Sequence, residues 1–181
     1  PASDRSQKGQ KTIRTTSKDG LVFTAGDVLL GKSYFRVFQH KGMWYALANT
    51  GEFFRAEDPT IPWEKREEHL IPMIRVEDTY GTRDRVRMRH AAILKREDHV
   101  LVFYSRKEDA PERILCARVE LEGNWTNWKA SEPVEVLRPE TQEEGAHLPV
   151  TVSQPGSAKT PVHELRDPAI FEEDRDVYLF Y

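Results

Sequence analysis

The chain has one cysteine in 181 residues, which excludes an intramolecular disulfide and any zinc site built from several thiolates. That residue, Cys116, sits in the apolar run ILCARV, a setting for a buried structural thiol. Long apolar stretches are also missing: none approaches the ~18 residues a membrane-spanning helix needs. The N-terminal PASDRSQKGQ lacks the apolar centre of a signal peptide, so a cytoplasmic protein with no membrane partner is expected. Charge of one sign is absent too. With 27 basic and 30 acidic residues well mixed and a net charge of −3, no global field draws the chain to nucleic acid. Helical periodicity is equally scarce. The nearest segment, WEKREEHL, is short and bracketed by Pro59, Pro62 and Pro72.

What is present is repetition. RHAAILKREDHVLVFY (Arg89 to Tyr104) returns 77 residues later as RDPAIFEEDRDVYLFY (Arg166 to Tyr181). Without a gap they match at Arg89/Arg166, Ala92/Ala169, Ile93/Ile170, Val100/Val177, Phe103/Phe180 and Tyr104/Tyr181. The departure lies at the second position, where His90-Ala91 becomes Asp167-Pro168. A looser third copy, YFRVFQHKGMWYALAN, sets Val37-Phe38 against Ile93-Leu94, with its second run expected after a shorter turn. Each copy is an apolar run, a polar turn and a second run of Val, Leu, Phe and Tyr, the signature of a β-hairpin.

The segments IRTTSKDGLVFTAGDVLL, FFRAEDPTIPWEKREEHLI and ILCARVELEGNWTNWKASEPVEVL also share a layout of strand, turn, aromatic and closing strand. Phe23, Trp63 and Trp128 hold the aromatic position, and Leu29, Leu70 and Val136 mark the closing strand. Hairpin plus hairpin makes a four-stranded unit, and repetition of such units is the pattern of a β-propeller. The expected fold is therefore all-β, a propeller of four-stranded antiparallel blades. After a tail at 1–10, one domain over 11–181 holds blades at about 11–30 (second half), 33–72, 86–138 and 164–181 (first half). Roughly twelve strands fall short of the ~4–8 blades of a closed ring, so a piece of a longer protein is expected, with a homo-oligomer closing the ring as the other option. The segment from Arg138 to His163 reads as one long loop, of the kind that is either functional or disordered.

In a propeller the first residues of each inner strand and the loops after alternate strands share one face. That layout brings Arg36, Arg89, His90, Arg166 and Asp167 to a common rim, with Asp109 and Glu112 from the loop SRKEDAPERI and Glu143-Glu144 from the long loop. Carboxylates, a histidine and arginines together suit acid–base chemistry on a polar ligand.

RDPAIF, RHAAIL followed by FYSR and DAPERI, SKDG-x-x-F and WKASEPVEVLRP together resemble the five-bladed propellers of the glycoside hydrolase group that contains arabinanases, invertases and levansucrases. The resemblance covers nearly all of 11–181. It implies hydrolysis of a glycosidic bond by paired carboxylates, a carbohydrate partner and no cofactor. By the Arg-Asp-Pro element, Asp167 would polarise a sugar hydroxyl or stabilise charge at the ring, and Arg166 would orient it. Glu112 is the candidate second carboxyl, although it follows Ala-Pro rather than the family's acid motif, and the base or nucleophile of the family's first blade has no counterpart here. His90, Arg89, Arg166, Asp109 and Arg36 would contact substrate.

Other readings stand beside these. A non-catalytic module could bind a glycan or a protein partner with the same face. Asp167 before Pro168 is also a turn initiator, and Arg-Asp pairs serve as structural locks. His90 could meet a metal at the axis, but no second ligand lies at suitable spacing. RDRVRMR puts Arg83, Arg85, Arg87 and Arg89 on one strand face, either to clamp an anionic sugar or as a solvated edge.

Overall fold

A computed structural model describes residues 10–181; the tail expected at 1–10 lies, apart from Gln10, outside them. The chain is all-β. Thirteen strands follow in order: β1 (Lys11–Thr16), β2 (Thr24–Lys32), β3 (Arg36–His40), β4 (Met43–Leu47), β5 (Phe53–Ala56), β6 (Glu64–Lys65), β7 (Ile74–Asp78), β8 (Gly81–Lys95), β9 (His99–Lys107), β10 (Ile114–Glu120), β11 (Val134–Leu137), β12 (Ala169–Glu173) and β13 (Asp176–Phe180). Among the described residues the helical content is two 3-10 turns, Asn49–Gly51 and Trp125–Asn127, and no helix is long and apolar enough to cross a membrane. The strands form antiparallel groups in simple sequence order: β1-β2, β3-β4-β5-β6, β7-β8-β9-β10-β11 and β12-β13.

The three repeated hairpins share one register. Val37 faces Ala46, Ile93 faces Val102 and Ile170 faces Leu179; one step on, Phe38 faces Tyr45, Leu94 faces Leu101 and Phe171 faces Tyr178. The reversals begin at the matching pairs Gln39/Trp44, Lys95/Val100 and Glu172/Val177, so they are of equal length. The shorter turn expected in the first copy is therefore not there. Its Lys41-Gly42 corner, at φ 47° and 77°, has both central residues left-handed, as does Asp174-Arg175 at φ 50° and 76°. This primed turn matches the twist of two antiparallel strands.

Strand β8 is long because it serves two partners. Its first half makes a hairpin with β7, and from Arg87 onward it pairs with β9 across a register shift between Met88 and Ala91. That β7–β8 hairpin is absent from the sequence reading. It also breaks up the arginine row: Arg83 pairs with Asp78 at 2.5 Å, Arg85 is exposed and Arg89 is buried.

The core joins the second group of strands to the third. Tyr45 and Phe53 pack on Trp125 and Trp128, with ring centroids 4.8 Å apart for Tyr45–Trp128 and 5.9 Å for Phe53–Trp125. Buried Arg66 spans the same junction, donating from Nη1 to the carbonyls of Trp128 at 2.8 Å and Trp125 at 3.3 Å. Trp63 is buried in a second cluster with Phe54 and Leu30. Phe23, at the equivalent place in the first unit, is 59% exposed and packs into neither cluster. Leu70 is buried but lies beyond the two-residue strand β6, not on a closing strand. Cys116 is half-buried on β10 rather than enclosed, and its partial burial raises the thiol pKa.

Candidate functional site

Arg89 and Arg166, the first residues of the closest repeat pair, grip the same carboxylate. Arg89 Nε lies 2.8 Å from Glu112 Oε1 and Arg166 Nε lies 3.2 Å from Glu112 Oε2. Both also donate from Nη1 to the carbonyl of Gly156, at 3.1 and 3.0 Å. Arg89 Nη2 reaches the Gln154 carbonyl at 2.6 Å, and Arg166 Nη2 pairs with Glu164. The clamp thus ties β8, the segment before β12 and the long loop to one fully buried side chain. Ser105 Oγ completes it, donating to Glu112 Oε1 at 2.7 Å. Burial pushes the Glu112 pKa up, while the Ser105 hydroxyl and the two guanidiniums pull it back toward the ionised form.

The second residues of the repeat also meet. His90 Nδ1 contacts Asp167 Oδ1 directly. The common register adds a third member: shifted by 56 residues, His90 corresponds to Tyr34, whose ring lies 4.3 Å from the imidazole. Tyr34, His90 and Asp167 therefore occupy one position in the three repeated hairpins and converge on one pocket of about 550 Å³. Asn49, Lys107 and the stretch Gly156–Ala158 close it.

Burial is the largest influence on His90, and the surrounding cations Arg89, Lys107, Arg36 and Arg166 add to it, holding its pKa at about 4. One exposed carboxylate, Asp167, does not offset them. Near neutral pH the imidazole is uncharged, so its contact with Asp167 requires the Nδ1–H tautomer as donor and leaves Nε2 as an acceptor.

The remaining expected residues lie elsewhere. Glu112 is beneath the pocket rather than on its wall. Arg36 corresponds in register to Ala92, as the repeat alignment sets it, and is absent from the pocket lining; it donates from Nε to the Ala91 carbonyl. Asp109 is buried 3.6 Å from Arg113, outside the pocket lining, with its pKa raised by burial. Its carbonyl accepts from Ser153 N at 2.9 Å, and the Glu112 carbonyl accepts from Leu165 N at 2.9 Å, so the 108–113 loop is fastened to the long loop. Glu143 and Glu144 line a neighbouring depression of about 340 Å³, where Glu144 accepts from Tyr181 Oη at 2.6 Å. Tyr34, Asn49, Lys107 and Ser105 are absent from the sequence-based site. Among the described residues one grouping has metal-ligand chemistry, Asp98, His99 and Glu120, away from the pocket; His99 Nδ1 is taken by Asp98 at 2.6 Å and Glu120 by Arg118.

Fold and site together define an all-β protein with a polar pocket assembled from the entry points of repeated hairpins. No family model and no solved structure matches the chain. Among curated proteins it is similar to Uncharacterized protein R118 of Acanthamoeba polyphaga mimivirus, at 35% identity over 175 residues, 91% of this chain and 47% of that protein. The chain spans about half the length of the curated relative it matches.

Proposed function

We propose that the chain is part of a glycosidase-like β-propeller whose Tyr34–His90–Asp167 pocket binds a carbohydrate. Convergence of three repeat-equivalent residues carries this reading, because equivalent positions in successive blades would meet around a shared axis. The sequential antiparallel grouping of the strands supports it, as does the position of β8 beside both β3 and β12. His90 Nε2 would accept from a sugar hydroxyl, the Asp167 carboxylate would hold His90 and accept from a neighbouring hydroxyl, and the Tyr34 ring would cover an apolar sugar face.

Binding is favoured over hydrolysis by the pocket lining. Hydrolysis by paired carboxyls calls for two of them at ~5–5.5 or ~6.5–9.5 Å across the bond. Among the described residues Asp167 is the single carboxylate on the wall, and Glu112 is enclosed by its arginines. Calorimetric titration with a panel of mono- and oligosaccharides tests the proposal. Wild type is expected to bind at least one saccharide, and D167N and H90Q to weaken it about tenfold or more while each still unfolds in one cooperative transition. Saccharide affinity indifferent to both substitutions would refute it, and turnover of chromogenic glycosides would favour the hydrolytic reading.

A further inference from the structure

We infer that the saccharide taken by this pocket carries an anionic substituent, a carboxylate or phosphate, held by Lys107 with Asn49 beside it. The inference rests on the carbohydrate reading above and adds the class of sugar.

Lys107 ends β9 and its side chain lines the pocket. The other charges there are already matched: Arg89 and Arg166 hold Glu112, Arg166 also holds Glu164, and Asp167 holds His90. Among the described residues no carboxylate stands within ion-pair distance of the Lys107 ammonium. The cations Arg87, Arg89 and Lys32 crowd it, and the carboxylate that offsets them most, Glu112, belongs to the clamp. Burial and this like-charge surrounding depress its pKa, and the negative charge of a bound anion would oppose both. On the same pocket lining, Asn49 has its Oδ1 buried without a hydrogen-bond partner. Buried polar atoms are rarely left so, and a turn of the Asn49 amide toward the pocket would let a ligand hydroxyl supply the missing donor.

Backbone strain marks the same place. Among the described residues seven non-glycines have positive φ, and three of them, Lys41, Asp174 and Arg175, sit in hairpin corners. The other four are Tyr34 (65°) and Asp167 (55°) on the pocket wall, Thr50 (69°) directly after Asn49, and Glu108 (68°) directly after Lys107. Such conformations persist where surrounding structure enforces them and cluster at ligand sites. Here each one adjoins or supplies a pocket side chain.

The test titrates wild-type protein with glucose, galactose and mannose, their 6-phosphates, their uronates, and inorganic phosphate at fixed ionic strength. At least one acidic sugar is expected to bind about tenfold or more tightly than its neutral parent. K107M should collapse that ratio, K107R should restore most of it, and the preference should fall as salt is raised. Which acidic form wins separates a carboxylate from a phosphate ligand. Equal binding of acidic and neutral sugars overturns the inference and leaves the carbohydrate reading standing. Inorganic phosphate binding as tightly as every sugar phosphate keeps the anion site and sinks the carbohydrate reading. Absence of binding across the panel overturns the inference. The wild-type ratios decide the matter even if K107M does not fold.

Discussion

Replacing Glu112 by Gln separates a structural clamp from a chemical group. The side chain has no exposed surface, and two guanidinium Nε atoms lie 2.8 and 3.2 Å from its oxygens. Gln keeps the shape and can still accept from Ser105, so the change removes chiefly the negative charge. Two buried arginines then face each other across a neutral amide. Removing one partner of a buried ion pair costs about 3–5 kcal/mol. The lower end applies, because both Nε contacts meet ion-pair distance without good hydrogen-bond geometry, and each arginine keeps its carbonyl acceptors. A loss of about 3 kcal/mol is expected. With a urea slope of roughly 1–3 kcal/mol/M, the midpoint falls by about 1–3 M. Buried Trp125 and Trp128 report unfolding by fluorescence. A cycle with R166M should return a coupling of about 1 kcal/mol or more between the two sites. A loss below about 0.5 kcal/mol, within the range of ordinary surface changes, would refute the clamp.

Three further perturbations follow from the same geometry. His90 has a folded pKa of about 4 against an ordinary 6.5, so its contribution is full above pH 6.5 and is lost as pH falls from 6.5 toward 4; urea titrations from pH 5 to 7 should show a slope, with at most about 3 kcal/mol at stake over the full range, that H90Q flattens. Gly145 combines φ 78° with a Cβ that would lie 2.2 Å from the Val162 carbonyl oxygen. G145A should therefore destabilise the long loop by about 2 kcal/mol or more and speed hydrogen exchange at the Leu148, Ser153 and Leu165 amides; unchanged exchange would refute it. R66M leaves the Trp125 and Trp128 carbonyls without their buried donor, so the unfolding midpoint should drop by the equivalent of about 3 kcal/mol, with a changed tryptophan emission maximum.

The all-β character was legible because period-two apolar runs and glycine- or aspartate-bearing turns mark hairpins without any help from tertiary contacts. Half of the site was legible for a related reason: a gapless repeat places Arg89 beside His90 and Arg166 beside Asp167, and in the structure these equivalent positions meet. Tyr34 was within reach: setting Val37-Phe38 against Ile93-Leu94 already places Tyr34 at the position of His90 and Arg36 at that of Ala92, as the strand pairing does. The rim was nevertheless drawn at Arg36, because an arginine reads as site chemistry where a tyrosine before an apolar strand reads as packing. Glu112 shows a different limit. A carboxylate in a loop next to a site reads as available chemistry, and its enclosure depends on two arginines 23 and 54 residues away in sequence. Lys107 and Asn49 lie deeper still beyond local reasoning. A strand-final lysine and a loop asparagine become partners in one pocket only because β4 and β9 are the second strands of equivalent hairpins, and it is that repetition, more than any single motif, that concentrates polar groups at one place.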